Sequence, residues 1–115
     1  MKNLFCNVDL AARRSEFHSA QPFPHLILDN AIDESFLRLC FAEWPSRDEL
    51  WTNYQRKKRA IHTPDMLGEN LRRLLQIGNS KEVIQQLKAV TGIADLRADE
   101  GFTGAGLHET HDGGA

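Results

Sequence analysis

The sequence predicts an α+β domain. Three observations carry that prediction. A one-sided apolar stripe follows Asp33, two further apolar-periodic segments lie between 67 and 92, and a glycine-rich stretch over 101–114 suits a strand and a turn better than a helix.

Residues 1–20 are weakly patterned and read as a loosely ordered N-terminal segment. Within it, a short helix over 9–17 would set Leu10, Arg14 and Phe17 along one side. The folded domain is expected over 21–115. It opens on Gln21-Pro22-Phe23-Pro24, where two prolines fix φ and bias the residues before them away from helix. His25-Leu26-Ile27-Leu28-Asp29 then reads as a short buried strand ending in a turn at Asn30. Asp33 is suited to cap the next helix, and Glu34 places negative charge where the helix dipole favours it. Leu37, Cys40, Phe41 and Trp44 follow at i, i+3, i+4 and i+7, a single apolar face, and Pro45 stops the helix.

Over 51–62 the strand-forming residues Trp51, Tyr54 and Ile61 surround a basic run, Gln55-Arg56-Lys57-Lys58-Arg59. This predicts an edge strand at 56–61, since lysines on an edge discourage unwanted pairing. Thr63-Pro64-Asp65 turns the chain. Leu67, Leu71, Leu74 and Leu75 predict a helix over 67–77, closed by Gly78-Asn79. Ser80 caps a third helix over 81–91 with Val83, Ile84, Leu87 and Val90 on its apolar face and Gly92 just past its end. The stretch from Gly101 to Gly114 holds five of the eight glycines. In it, Thr103 to Thr110 predicts a strand, and His111-Asp112-Gly113-Gly114 predicts a hairpin turn. No returning strand follows that turn, which leads us to expect a truncated chain.

Composition narrows the function classes. With 115 residues the chain is expected to be one domain, and its 41% apolar and 26% charged content is that of an ordinary globular protein. Its net charge of −2 does not supply the basic field that nucleic-acid binding draws on. Cys6 and Cys40 are too few for a disulfide framework, so a reducing, cytoplasmic setting is expected. No apolar run approaches the roughly 18 residues of a membrane helix, and Asp9 interrupts any signal-peptide core. Phosphate loop, dinucleotide fingerprint, CxxC pair and nucleophile elbow are all absent from the sequence.

Four pieces occur in order: Pro22-Phe23-Pro24-His25-Leu26-Ile27-Leu28-Asp29-Asn30, Trp51 to Tyr54, Val90-Thr91-Gly92-Ile93, and Gly104-Ala105-Gly106-Leu107-His108 with Gly113-Gly114. The ordered set, over residues 21–115, resembles the N-terminal half of bacterial iron(II)- and 2-oxoglutarate-dependent dioxygenases of the prolyl 4-hydroxylase-like type. In that family a PFPH-type strand precedes a helix, a TGI-like turn leads to a "GGGLH" strand, and a GG turn is followed by a strand bearing an H-x-D pair. The resemblance implies helices packed on the first strands of a double-stranded β-helix, or jelly-roll. It also implies iron(II) and 2-oxoglutarate as cofactors of a longer parent, and a small-molecule or peptidyl substrate. Two departures stand out. The first glycine triplet reads Gly104-Ala105-Gly106, and no H-x-D occurs in the chain. The family's distal histidine and its 2-oxoglutarate-gripping basic residue would also lie further on. Such iron is held by two histidines and a carboxylate on one face, so this chain alone is expected to be inactive.

His108-Glu109-Thr110-His111-Asp112 packs two imidazoles and two carboxylates into five residues. On a strand, His108 and His111 face opposite sides, which argues against a metal site made of His108, His111 and Asp112. The family resemblance instead gives His108 a role beside the ligand-bearing strand, orienting a ligand or substrate. The Arg56–Arg59 run reads as a solvated strand rather than a nucleic-acid surface, His25 as a hydrogen-bonded packing residue, and Cys40 as a small buried hydrophobe. Arg72-Arg73 read as the wet face of their helix, and Trp44 and Trp51 as core or groove-lining residues. Two further readings fit the sequence: a non-catalytic helical module that binds a protein through its apolar stripes, and a small metal-binding protein. With most of a jelly-roll missing, the helix stripes are expected to cover one another incompletely and to leave apolar surface exposed.

Overall fold

The computed structural model describes residues 4–5, 8–54, 57–102 and 104–113. Four α-helices, α1 (Arg14–Ser19), α2 (Glu34–Ala42), α3 (Glu69–Gly78) and α4 (Lys81–Thr91), accompany three strands, β1 (Thr52–Tyr54), β2 (Lys58–Ile61) and β3 (Leu107–Thr110). The fold is therefore α+β, as expected. Its sheet has three antiparallel strands in the order β1-β2-β3. Among the described residues, no helix is long and apolar enough to cross a membrane.

Two of the longer helices are capped by their own flanking residues. The Asp33 carboxylate accepts from the Phe36 N–H at 3.0 Å, and the Ser80 hydroxyl accepts from the Val83 N–H at 3.3 Å. Gly92 closes α4 in the left-handed conformation, at φ 75°. The start of α3 is different, because its N-cap is Gly68, which has no side chain to offer. Glu43, at the end of α2, supplies the cap from a distance. Its carboxylate accepts the Asn70 and Leu71 backbone N–H groups at 2.9 and 3.1 Å and also the Asn70 side-chain amide. Gly68 is needed for this: a Cβ there would run into the Glu43 carboxylate.

Burial alone would raise the Glu43 carboxyl, but the Leu71 and Asn70 donors outweigh it and hold the pKa below the ordinary range. A depressed folded-state pKa adds stability above the unfolded value of about 4.3, and that stability is lost as pH falls through the folded value. Glu43→Ala should therefore cost about 1–2 kcal/mol at pH 7 in a urea titration, the range of a lost helix cap. The gap between the two proteins should close under acid, and a gap unchanged from pH 7 to pH 3 would reject the assignment.

The core lies between α2, α3 and one face of the sheet, where Phe36, Cys40, Trp51, Ile61, Leu71 and Leu107 meet. A second cluster of Leu4, Ile77 and Val83 adjoins it, and Ile32 and Leu74 pack against both. In the N-terminal segment, Leu10 is buried, and α1 with the 3₁₀ turn at Ala11–Arg13 packs on α4.

Three expectations are corrected. Residues 25–29 form no strand. Leu26 and Leu28 are half-buried and Ile27 is 70% exposed, so the apolar run signalled one covered face and not a paired, buried strand. The strand predicted at the sheet edge is its centre: β2 pairs with β1 on one side and β3 on the other, and its Ala60 and Ile61 are buried. On α2 the buried residues are Phe36 and Cys40, and Leu37, Phe41 and Trp44 border an open groove. Six of the nine residues of this helix are apolar, so periodicity alone picked a face one residue off. Of the other residues singled out in the sequence, Cys6, Gln55, Arg56, Thr103 and Gly114 lie outside the described residues.

Candidate functional site

The sheet has two chemically different faces. Because directly opposed residues in an antiparallel ladder share a face, Trp51, Arg59, Ile61, Leu107 and Glu109 lie on the helix side. Thr52, Tyr54, Lys58, Ala60, His108 and Thr110 lie on the other side, and His62 continues it just past the end of β2. That second side is a depression of about 560 Å³. Ala60, 1% exposed, forms its floor, and larger polar side chains rise around it.

The loop before β3 is fixed by two side chains. Asn79 and Asp99 bond reciprocally: the Asn79 amide donates to the Asp99 carbonyl at 2.6 Å, and the Asp99 N–H donates to the Asn79 amide oxygen at 2.9 Å. The Asp99 carboxylate then accepts the Gly104 and Ala105 N–H groups at 2.8 and 2.9 Å. This places the Ala105 carbonyl 3.1 Å from His62 Nδ1. A carbonyl can only accept, so Nδ1 carries the proton. In the neutral ring Nε2 is then the acceptor, and the Tyr54 hydroxyl donates a hydrogen bond to it across 3.2 Å. His108 stacks edge-on against His62, with ring centroids 5.3 Å apart. The result is an ordered line of a phenol and two imidazoles across all three strands.

On the helix side, Glu109 ties the sheet to α2. Its carboxylate accepts from Trp44 Nε1 at 3.1 Å and from Arg59 at 3.1 Å, and His111 Nε2 lies 3.1 Å away. The Trp44 and Arg59 hydrogen bonds hold its pKa below the ordinary carboxylate range. Arg59 also bonds Asp48 at 3.0 Å and lies 4.3 Å from the centre of the Trp51 ring. Burial opposes its charge, but Glu109 and Asp48 outweigh this and hold its pKa above the ordinary value.

Of the sequence-predicted residues, His108 is on the open face. His111 turns to Glu109 on the other, so the two imidazoles are not brought together, and Asp112 stays exposed in the turn. Among the described residues no group of three or more His, Cys, Asp or Glu side chains is placed to hold a metal ion. His25 bonds the Phe23 carbonyl at 2.8 Å and meets the Phe23 ring edge-on, with ring centroids 5.4 Å apart. Cys40 is buried, which pushes its thiol pKa up. Tyr54 and His62 were not picked as site residues from sequence. Their only signal is the strand register, which joins residues 8 and 46 positions apart in the chain. Scans of protein-family models, curated protein sequences and solved structures found no match to this chain.

Proposed function

We propose that this chain is the N-terminal part of an iron(II)- and 2-oxoglutarate-dependent dioxygenase. Its helices would buttress the first strands of a double-stranded β-helix, and the Tyr54–His62–His108 face would form one wall of the substrate pocket. The observation that carries this reading is the division of labour in the sheet. One face is packed against α2 and α3, and the other is a polar depression floored by Ala60. The order of the family-like pieces in the sequence supports it further.

The residues present do not fit the iron. The chain contains no H-x-D, and the described residues hold no three-ligand cluster. Iron and 2-oxoglutarate belong, in this proposal, to a longer parent that hydroxylates a C–H bond while 2-oxoglutarate becomes succinate and CO₂. His108 then orients substrate or a neighbouring ligand, and the 115-residue chain is inactive alone.

The test has two arms. The purified chain with iron(II), 2-oxoglutarate and ascorbate should release succinate only at background, and robust turnover would overturn the proposal that the chemistry lies outside it. A polypeptide extended by the downstream coding sequence should contain H-x-D and, under anaerobic conditions, develop a visible iron-to-2-oxoglutarate charge-transfer band. An extended polypeptide with neither would reject the family reading.

A second reading, a protein-interaction module without chemistry, is favoured by one specific observation. Leu37, Phe41, Trp44, Leu74 and Leu107 border an open apolar groove of about 540 Å³, and Phe41 is 77% exposed. Concentration-dependent sedimentation that Phe41→Asp abolishes would support this reading, and a monomer at all concentrations would count against self-association.

A further inference from the structure

We propose that the open sheet face is an oxyanion site, which binds a carboxylate or phosphate group of the substrate through Lys58 and the Tyr54 hydroxyl, with His62 as the group that switches the hydroxyl toward the ligand. As a substrate site this deepens the oxygenase reading and rests on it. As an anion site it stands on the geometry alone.

Charge is the first support. Beside His62 lie Tyr54 from β1 and His108 from β3, and Lys58 shares that sheet face four residues earlier on β2. None of these three is acidic, and the Asp99 carboxylate in the adjoining loop is taken up by the Gly104 and Ala105 N–H groups. Glu109 and Arg59 also border the depression, but they are committed to each other at 3.1 Å and to Trp44 and Asp48. Apart from the mutually committed Arg59–Glu109 pair, the open face therefore offers one ammonium, two imidazoles and the hydroxyls of Tyr54 and Thr110, and among the described residues no further carboxylate lines it. Such a surface favours an anion with oxygen acceptors, for which ammonium and hydroxyl donors make charge-assisted bonds.

The second support is the fixed tautomer. The Ala105 carbonyl holds the proton on His62 Nδ1, so a proton gained by this ring goes to Nε2. In the neutral state Tyr54 donates to Nε2 across 3.2 Å, and its proton is unavailable to a ligand. Once Nε2 is protonated it donates to the Tyr54 oxygen, and the phenol proton rotates outward. An anion in the depression stabilises that arrangement twice, by accepting the phenol proton and by facing a second positive charge. Binding is thus coupled to the uptake of one proton from solvent, with no bond made or broken in the ligand.

Titration calorimetry of the 115-residue chain without iron tests this, with sodium acetate and inorganic phosphate as probes at constant ionic strength. Running each probe in two buffers of different ionisation enthalpy counts the protons. The expected result is saturable binding with net proton uptake, accompanied by joint shifts of the His62 and His108 imidazole resonances. Lys58→Ala and Tyr54→Phe should each weaken it by about ten-fold, the size of a lost charge-assisted hydrogen bond. Lys58→Arg should retain it, and Lys81→Ala on exposed α4 should leave it unchanged. His62→Gln, which can still bond Tyr54 but takes up no proton, should bind without proton uptake. Tighter phosphate than acetate assigns a phosphoryl substrate, and the reverse assigns a carboxylate. Absence of saturation, equal weakening by Lys81→Ala and Lys58→Ala, or proton uptake that survives His62→Gln would each overturn the proposal. Because no iron is present, its failure is separate from failure of the oxygenase reading, which the charge-transfer band decides.

Discussion

Trp51→Ala should remove about 3–5 kcal/mol of folding stability, read as a shift in the urea midpoint with Trp44 fluorescence and far-UV circular dichroism as probes. Trp51 is 5% exposed and belongs to the main core with Phe36, Ile61 and Leu107. Its ring lies 5.9 Å from the Trp44 ring and 4.3 Å from the Arg59 guanidinium, and its indole N–H donates to the Pro45 carbonyl at 3.3 Å. Truncation therefore opens a cavity, strands an acceptor and uncovers a charge together. The Arg59–Asp48 pair nearby matters less, because Asp48 is solvent-exposed and an exposed pair contributes only about 0–1 kcal/mol. Trp51→Phe separates the contributions. It keeps a six-membered ring in the core but loses the pyrrole part with its N–H, so it should cost less than alanine, about 1–3 kcal/mol. Against a total of roughly 5–15 kcal/mol for a domain, the alanine variant should be partly unfolded at ordinary temperature. A loss under about 0.5 kcal/mol, the size of a neutral surface change, would mean that the sheet does not rest on Trp51.

The parts of this fold that were legible in the sequence are those set by chemistry within a few residues. Ser80 and Gly92 bound α4 where their cap preferences place them, and Asp33 caps α2 as expected. The strand read from the glycine-rich stretch is present, shortened to Leu107–Thr110, and the turn after it bends at Asp112 and Gly113. What was not legible depends on partners far along the chain. The start of α3 came two residues later than the leucine pattern suggested, because its cap is Glu43, 27 residues before Asn70. The basic run looked like an edge because lysine and arginine dominate it. Arg59, however, is absorbed by Trp51, Glu109 and Asp48, which lets β2 sit in the middle. The open face was half legible: His108 drew notice beside glycines, but Tyr54 and His62 join it only once the register is known.

The two sides of the sheet also differ in how complete they are. On the helix side, the main core is closed below by Leu71 and Ile61, yet Leu37 and Phe41 stay uncovered above it. Apolar burial contributes about 25 cal/mol per Å², so these side chains leave stabilisation unrealised that a covering element would recover. The open face has the opposite character: its His62 ring is already ordered by the Ala105 carbonyl, the Tyr54 hydroxyl and the His108 ring. Preorganisation of that kind is what a binding surface needs, since donors held in place lose little freedom when a ligand arrives.

Gly106→Ala should be destabilising, and Gly78→Ala should be stabilising, although the two substitutions are chemically identical. Gly106 has φ 154°, a conformation that residues with a side chain rarely adopt, and strain of this type costs about 1–3 kcal/mol. A Cβ there would also collide with the Ile61 carbonyl oxygen and reach within 3.1 Å of the His62 Cα, both backbone atoms that cannot rotate away. The strand can take an added methyl only by moving off β2, so the loss should exceed the strain alone. Gly78 is the last residue of α3, and a Cβ there meets nothing within 4 Å. Alanine at that position restricts the unfolded chain and should add about 0.5–1 kcal/mol. The sign difference, read as opposite shifts in melting temperature, tests the close approach of β3 to β2 directly. It bears on the site as well: Gly106 follows the carbonyl that fixes His62, so Gly106→Ala should also displace the His62 imidazole resonances, whereas Gly78→Ala should not. Equal and small effects at both positions would mean that the strands do not approach as closely as the Ile61 contact requires, and the line from Tyr54 through His62 to Ala105 would lose its anchor.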